Sequence, residues 1–168
     1  MQQVFKNGVI QDDHWSHLDA QIGADFTPEP EVHYILPLDI WQGFAGDFSG
    51  FISCPGITIS ADADLASLAD AIERVPLIAI EFCSFTDGSG FSTASLLRED
   101  YKFDGELRAM GAILPDQVPY LLRCGFNSVE FPRAEDLQHA VALTGGAGQS
   151  YQGDVETPRT PFQQRIAK

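Results

Sequence analysis

Apolar runs and segments with helical spacing alternate between residues 56 and 143. Strands are predicted where apolar residues cluster, at Gly56–Ile59, Leu77–Phe82, Glu106–Met110 and Ser128–Phe131. Helices are predicted where apolar residues recur every three or four positions, over residues 65–75, 92–100, 115–124 and 134–143. This alternation is typical of a parallel sheet whose strands are joined by right-handed helical crossovers.

Residue types at the segment ends support these helix boundaries. Asp62 or Asp64 can cap the first helix, and Pro76 ends it. Pro115 suits the first turn of a helix, and Gly125 suits a left-handed C-terminal cap. Four β/α units are half of what an eightfold barrel contains. The pattern therefore predicts an α/β fold with an open or half-barrel-like parallel sheet.

The residues before this region predict additional strands. Asn7-Gly8 separates two short apolar runs and favours the tight turn of an N-terminal β-hairpin. Thr27–Glu31 contains two prolines and indicates a linker. Tyr34–Leu38 is apolar apart from Pro37, which predicts an edge strand or a strand with a break.

Length and composition predict one domain with its own core. The 168 residues are 44% hydrophobic, which suffices without metal or disulfide support. We expect a single α/β domain over residues 1–150, with the hairpin and linker in residues 1–31, and an extended tail over residues 151–168. Three cysteines without a CxxC pair, and no apolar signal or membrane segment, predict a cytoplasmic protein.

Acidic side chains dominate the charge, which is −14 at pH 7. Nucleic acids and anionic membranes attract basic patches, so neither is an expected partner. A basic protein partner is compatible with this charge, and so is the simpler interpretation that acidity keeps the protein soluble. An uncovered sheet edge would favour a homodimer.

Polar residues after the second predicted strand are the leading candidates for chemistry, because ligands of parallel sheets bind beyond the carboxyl ends of the strands. Glu81 and Asp87 are candidate catalytic acids or bases. Gly88, Ser89, Gly90 and Ser92 are candidate ligand-binding residues, since amides at a helix N-terminus can bind an anion such as phosphate. The same turn fits a purely structural role slightly better, as a tight turn with Asp87 or Ser92 as the helix cap.

Arg108 interrupts an otherwise apolar part of its strand and must be paired if it is buried. We expect Glu81 or Asp87 to be its partner. Such a pair is either structural or orients an anionic substrate, and both interpretations stay open. The sequence contains no flavin, haem, iron–sulfur, P-loop or nucleophile-elbow motif and no clustered histidines, so it identifies no cofactor and predicts no metal site.

Five short motifs resemble those of one bacterial family. They are Phe85-Thr86-Asp87-Gly88-Ser89-Gly90-Phe91-Ser92, Leu96-Leu97-Arg98-Glu99, Gly105-Glu106-Leu107-Arg108-Ala109, Asp116-Gln117 and Arg123-Cys124-Gly125-Phe126. Over about residues 1–155 the chain resembles bacterial domain-of-unknown-function family 934, whose label names an oxidoreductase involved in sulfite reduction. That label reflects genes that lie beside those for sulfite reductase and sulfate assimilation. The resemblance therefore implies a pathway and no mechanism.

Two positions depart from the family pattern. The family usually has Arg where Ser89 stands and Asp where Ala112 stands. If those charges carry the family's activity, this chain has lost the activity or changed its ligand. Arg108 and Gln117 do match, and on that match Gln117 joins the candidate ligand-binding residues.

Three functions are compatible with these observations. The first is an accessory protein of assimilatory sulfite or sulfate reduction that docks onto a protein such as sulfite reductase. The second is an enzyme or binding protein for a small anion or phosphorylated cofactor, with its site at the strand ends. The third is a dimeric scaffold without catalysis, in which the polar residues at the strand ends only pair with each other.

Overall fold

A computed structural model describes residues 2–18, 26–84 and 86–145. Eight strands form one sheet: β1 Gln3–Lys6, β2 Val9–Asp12, β3 Trp15–His17, β4 His33–Pro37, β5 Gly56–Ser60, β6 Leu77–Phe82, β7 Glu106–Gly111 and β8 Ser128–Val129. The helices are α1 Leu38–Gly43, α2 Ala69–Arg74, α3 Ser89–Glu99, α4 Val118–Arg123 and α5 Ala134–Thr144. Short 3₁₀ turns, Leu65–Leu68 and Pro115–Gln117, lead into α2 and α4.

The strand order across the sheet is β2-β1-β8-β7-β6-β5-β4-β3. Strands β3 to β8 run parallel, whereas β1 is antiparallel to both β8 and β2. The predicted α/β fold, with an open half-barrel sheet and an N-terminal hairpin, is confirmed. Asn7 and Gly8 both have positive φ angles, as the tight turn between β1 and β2 requires.

The sheet curls so that its two edges approach each other. Strands β2 and β3 lie at opposite ends of the strand order, yet only Asp13 and His14 separate them in the chain. Because consecutive Cα atoms are about 3.8 Å apart, Asp12 and Trp15 are at most about 11 Å apart. The short link between β2 and β3 therefore crosses the mouth of the half-barrel.

Successive residues of each strand face opposite sides of the sheet. One side packs against the helices and forms the main core, which includes Ile78 and Ile80 of β6, Leu107 of β7, Leu97 of α3 and Leu121 of α4. The opposite, concave side holds a smaller apolar cluster of Ile35, Leu77 and Ala79, with Trp15 and Met110 against it. Each large side chain buried in this way contributes about 1.5–3 kcal/mol to stability.

Several elements differ from expectation. The strand predicted at Tyr34–Leu38 is not an edge strand, because β4 pairs with both β3 and β5 and Pro37 is its last residue. Strand β3 was not predicted, since Trp15–His17 is too short to show alternation. The predicted tail, residues 151–168, lies outside the described residues. Within the described ranges, no helix is both long and apolar enough to cross a membrane.

Candidate functional site

Arg108 lies at the centre of a charged cluster on the concave face of the sheet, and it is 1% exposed. Its guanidinium donates to both carboxylate oxygens of Asp13, with Nη1–Oδ2 and Nη2–Oδ1 distances of 2.7 and 3.0 Å. It also donates through Nε and Nη2 to Glu106 Oε1, at 3.1 and 2.8 Å. A longer bond of 3.4 Å joins Nη1 to Glu130 Oε2. Three carboxylates therefore use all five N–H donors of the guanidinium.

The cluster continues outward from these carboxylates. Lys6 Nζ donates to Glu106 Oε2 at 2.5 Å, and His17 Nε2 lies 2.8 Å from Glu130 Oε2. Gln2 Nε2 donates to Glu130 Oε1 at 2.6 Å. These bonds join β1, β3, β7, the residue after β8 and the link between β2 and β3. They tie the two edges of the curled sheet together.

Burial and pairing act in opposite directions on these groups. Burial raises the pKa of Glu106, but the charge of Arg108 and hydrogen bonds from Lys6 and Arg108 outweigh it and hold that pKa below its ordinary value. Burial also raises the pKa of Glu130, and His17, Arg108 and Gln2 together overcome it in the same way. Burial lowers the pKa of Arg108, but Asp13 and Glu106 hold it above its ordinary value. Glu106, Glu130 and Arg108 are therefore ionised at neutral pH.

The predicted partners of Arg108 were wrong. Glu81 is exposed near the end of β6, where its register partner in β7 is Met110, while Arg108 lies opposite Ala79. Asp13 takes the place expected for Glu81 or Asp87 because the curl of the sheet brings the β2–β3 link over β7. The catalytic roles proposed for Glu81 and Asp87 stay predictions. The ligand role of Arg108 also stays a prediction, and every donor that it would need is already bonded.

Asp87 and Ser89 form a local turn at the start of α3. Asp87 Oδ1 accepts hydrogen bonds from the Ser89 amide at 3.0 Å and from the Ser89 hydroxyl at 2.5 Å. The bond from the Ser89 hydroxyl is the main reason why the pKa of Asp87 lies below its ordinary value. Asp87 therefore closes a local turn just before α3. The N-cap residue is Gly88 and no side chain caps the helix, so the cap expected at Asp87 or Ser92 is not formed.

The two glycines of the turn differ in their surroundings. A Cβ built on Gly90 would lie 2.5 Å from the Phe82 ring, so packing alone explains the glycine. Gly88 has no heavy atom within 4 Å of a built Cβ, and packing does not require glycine there. Gln117 is also engaged, since its Oε1 accepts from the Leu114 amide at 2.8 Å. The ligand roles of Gly88, Ser89, Gly90 and Gln117 stay predictions.

Ser92 points into a different feature, an exposed groove on the outer surface between α3 and α4. We call this feature the α3–α4 groove. It has a volume of about 330 Å³ and is lined by Phe91, Ser92, Ser95, Leu96, Glu99, Tyr120 and Cys124. Ala94 and Leu97 lie on the inner side of α3, and both are fully buried. Phe91 and Leu96 are apolar residues of the same helix that line the groove instead, and they were the available signal for it in the sequence.

The floor and walls of the α3–α4 groove are largely apolar. Leu96 is 45% exposed and Tyr120 is 51% exposed. The Phe91 and Tyr120 rings lie 4.9 Å apart, and Phe91 in turn packs against the buried Phe82 ring at 5.3 Å. Charge repulsion by Cys124 and a hydrogen bond that the Tyr120 hydroxyl donates to Cys124 raise the pKa of Tyr120 above its ordinary value. Exposed contiguous apolar surface of this kind marks interaction sites.

Comparison with known proteins supports one assignment. Among the described residues, no group of three or more histidines, cysteines or carboxylates is placed to hold a metal ion. No curated protein and no solved structure matches the chain. A family model described as bacterial protein of unknown function (DUF934) matches residues 56–162, which include β5 to β8, α2 to α5 and the whole α3–α4 groove. The chain therefore belongs to the bacterial family DUF934.

Proposed function

We propose that this chain is an accessory protein that docks onto an enzyme of assimilatory sulfite or sulfate reduction through the α3–α4 groove. The observation that carries the proposal is the pair of contacting aromatic rings, the partly buried Phe91 and the exposed Tyr120, with the exposed Leu96 on the same groove. A monomeric soluble protein gains nothing from leaving such residues in water, whereas aromatic side chains are enriched in the centres of interfaces.

The charge around the groove defines the chemistry of the partner. Glu99 is exposed and lines the groove, and the chain carries a charge of −14. A partner segment matches the α3–α4 groove if it carries an apolar side chain that packs against Phe91 and Tyr120 and a basic group that pairs with Glu99. The long-range charge would also steer a basic surface toward the protein.

The link to sulfite reduction comes from the resemblance of the chain to its family. The motifs around Asp87, Arg108 and Arg123 carry that resemblance, and the family label rests on the neighbourhood of sulfur-assimilation genes. Purified assimilatory sulfite reductase is therefore the first partner to test. Docking requires no reactive group on this chain, which agrees with a charged cluster in which every donor of the central Arg108 is engaged.

Two leucines offer a matched test of the groove. Leu96 and Leu143 are each 45% exposed on a helix, but only Leu96 lines the groove. In a biosensor assay with purified sulfite reductase, Leu96→Asp should weaken binding by at least about tenfold, which corresponds to about 1.4 kcal/mol. Leu143→Asp should bind like the wild type.

Two outcomes would contradict the proposal in different ways. If wild-type protein does not bind sulfite reductase, the link to that enzyme is wrong. If both aspartate variants bind as tightly as the wild type, docking occurs elsewhere and the groove is not the interface. Circular dichroism of both variants checks that the helices remain folded.

A further inference from the structure

The charged cluster reaches water at one end, where His17 pairs with Glu130. Their side chains are 25% and 15% exposed, whereas those of Asp13 and Arg108 are 2% and 1% exposed. His17 is the last residue of β3, and Glu130 directly follows β8. Both residues therefore lie at the carboxyl ends of parallel strands, where ligands of such sheets bind.

The contact with Glu130 determines which nitrogen of His17 carries a proton. Glu130 is ionised at neutral pH, and an ionised carboxylate only accepts hydrogen bonds. The 2.8 Å contact between His17 Nε2 and Glu130 Oε2 therefore requires a proton on Nε2. In the neutral imidazole the lone pair is then on Nδ1. Among the described residues Nδ1 has no hydrogen-bond partner, so this nitrogen can take a proton from a bound molecule.

Glu130 is itself held in place, which gives the pair a fixed orientation. Gln2 Nε2 donates to Glu130 Oε1 at 2.6 Å, and Arg108 Nη1 donates to Oε2 at 3.4 Å. When His17 takes a second proton, the ionised Glu130 stabilises the imidazolium. Histidines that act as general bases are commonly oriented by a carboxylate in this way.

The neighbouring side chains on the concave face indicate the charge of the substrate. Glu81 lies on the same side of β6 as the buried Ala79, and its register partner in β7 is Met110. The Glu130 amide donates to the Ala109 carbonyl, which places Glu130 beside Met110. Adjacent strands are about 4.8 Å apart, so the backbones at Glu81 and Glu130 are about 10 Å apart. Two carboxylates at this spacing repel anions and favour a neutral or cationic molecule.

We propose that His17 Nδ1 is a general base for a neutral or cationic substrate, with Glu130 as its positioning residue. Nδ1 takes a proton from a carbon or oxygen atom of the substrate, and the electron pair of the broken bond stays on the substrate. The imidazolium then returns the proton to the product or to water. The site is on the concave face and the α3–α4 groove is on the outer face, so this activity is independent of docking.

Elimination of 5-nitrobenzisoxazole tests the base directly, because this neutral probe reacts by loss of one proton. The base removes the proton from a ring carbon while the N–O bond breaks, and the product is a nitrile with a coloured phenolate. His17→Gln should lower kcat/KM by at least about tenfold, and Glu130→Gln should lower it less. The matched control is His139→Gln, which changes an exposed histidine of α5 and should react like the wild type. Equal rates for wild type and His17→Gln would overturn the proposal.

The tautomer of His17 separates the positioning role of Glu130 from a purely structural one. At about pH 8, where an ordinary histidine is neutral, ring nitrogen signals in nuclear magnetic resonance should show the proton on Nε2 in the wild type. In Glu130→Gln part of the population should carry it on Nδ1, because the glutamine amide can also accept from or donate to the ring in a flipped arrangement. Circular dichroism checks that both variants remain folded. A proton on Nδ1 in the wild type would contradict the proposal, because that nitrogen would then have no lone pair.

Inhibition by an anion tests the class of substrate. Sodium sulfate should not slow the elimination, because Glu81 and Glu130 repel anions. Sodium chloride at equal ionic strength is the control for general salt effects. Competitive inhibition by sulfate beyond that control would mean that the site binds anions, which contradicts a neutral or cationic substrate.

Discussion

The charged cluster on the concave face and the α3–α4 groove on the outer face arrange their side chains in opposite ways. The cluster buries the guanidinium of Arg108 and gives every one of its donors a carboxylate partner. The groove instead leaves apolar and aromatic side chains, Leu96 and Tyr120 among them, in contact with water.

This difference indicates where binding capacity remains. A buried guanidinium that is already surrounded by carboxylates has no donor to offer an incoming anion, and the carboxylates would repel that anion. When a partner covers exposed aromatic surface, the removal of that surface from water contributes favourable free energy to binding. Arg108 stands out in the sequence because it is a charged residue in an apolar part of a strand. In the structure this buried charge has a structural role.

Removal of the central cation should cause the largest loss of stability. Arg108→Met leaves Asp13, Glu106 and Glu130 without their shared partner, and loss of one member of a buried ion pair costs about 3–5 kcal/mol. Urea unfolding followed by circular dichroism measures the change. Arg133→Met is the matched control and should cost clearly less, because the Arg133 side chain is 70% exposed. A loss below about 1 kcal/mol for Arg108→Met would mean that the cluster does not hold the sheet edges together.

A smaller loss is expected at the turn before α3, where the two glycines form a matched pair. Gly90→Ala would place its Cβ 2.5 Å from the Phe82 ring, and overpacking of this kind costs about 1–3 kcal/mol. Gly88→Ala meets no neighbour within 4 Å at an ordinary φ of −86° and should be neutral or slightly stabilising. Thermal unfolding of both variants measures the difference. If both variants changed the stability equally, contact with the Phe82 ring would not be the reason for glycine at position 90.

Acid should weaken the cluster gradually. The pKa values of Glu106 and Glu130 are both lowered in the folded protein, so both carboxylates contribute stability above the ordinary glutamate pKa of about 4.3. That contribution is lost as the pH falls through the lowered pKa values, because both carboxylates are then protonated in the folded protein as well as in the unfolded one. The free energy of unfolding should therefore fall below about pH 4, and less steeply in Glu130→Gln. A profile without this decline would contradict an ionised cluster.

The sequence predicted the fold better than the site for a physical reason. Strands β5 to β8 and their helices follow from local apolar patterns and from caps such as Gly125, which has a positive φ as expected. Which side chains pair across the concave face depends on the curl of the sheet, and local sequence patterns do not predict that curl. Asp13 and Arg108 are 95 residues apart in the chain, and their contact exists only because the β2–β3 link crosses the mouth of the half-barrel.

The candidate site illustrates the same limit. Asp87 and Ser89 interact within one local turn, and a local interpretation of the sequence already placed a structural turn there. The α3–α4 groove requires two helices that are separated in sequence to lie side by side, with Phe91 against Tyr120. Amphipathic spacing identifies the inner side of each helix, but it does not show which outer residues meet across the gap between them.

Hydrogen–deuterium exchange of the full-length protein with purified assimilatory sulfite reductase tests the central claim most directly. Docking through the α3–α4 groove predicts slower exchange, on addition of the enzyme, in peptides that cover α3 and α4 (residues 89–99 and 118–123). Peptides that cover the charged cluster in β7 should exchange at an unchanged rate. Protection confined to residues 81–88 at the strand ends, or no protection in any peptide, would contradict docking through the α3–α4 groove.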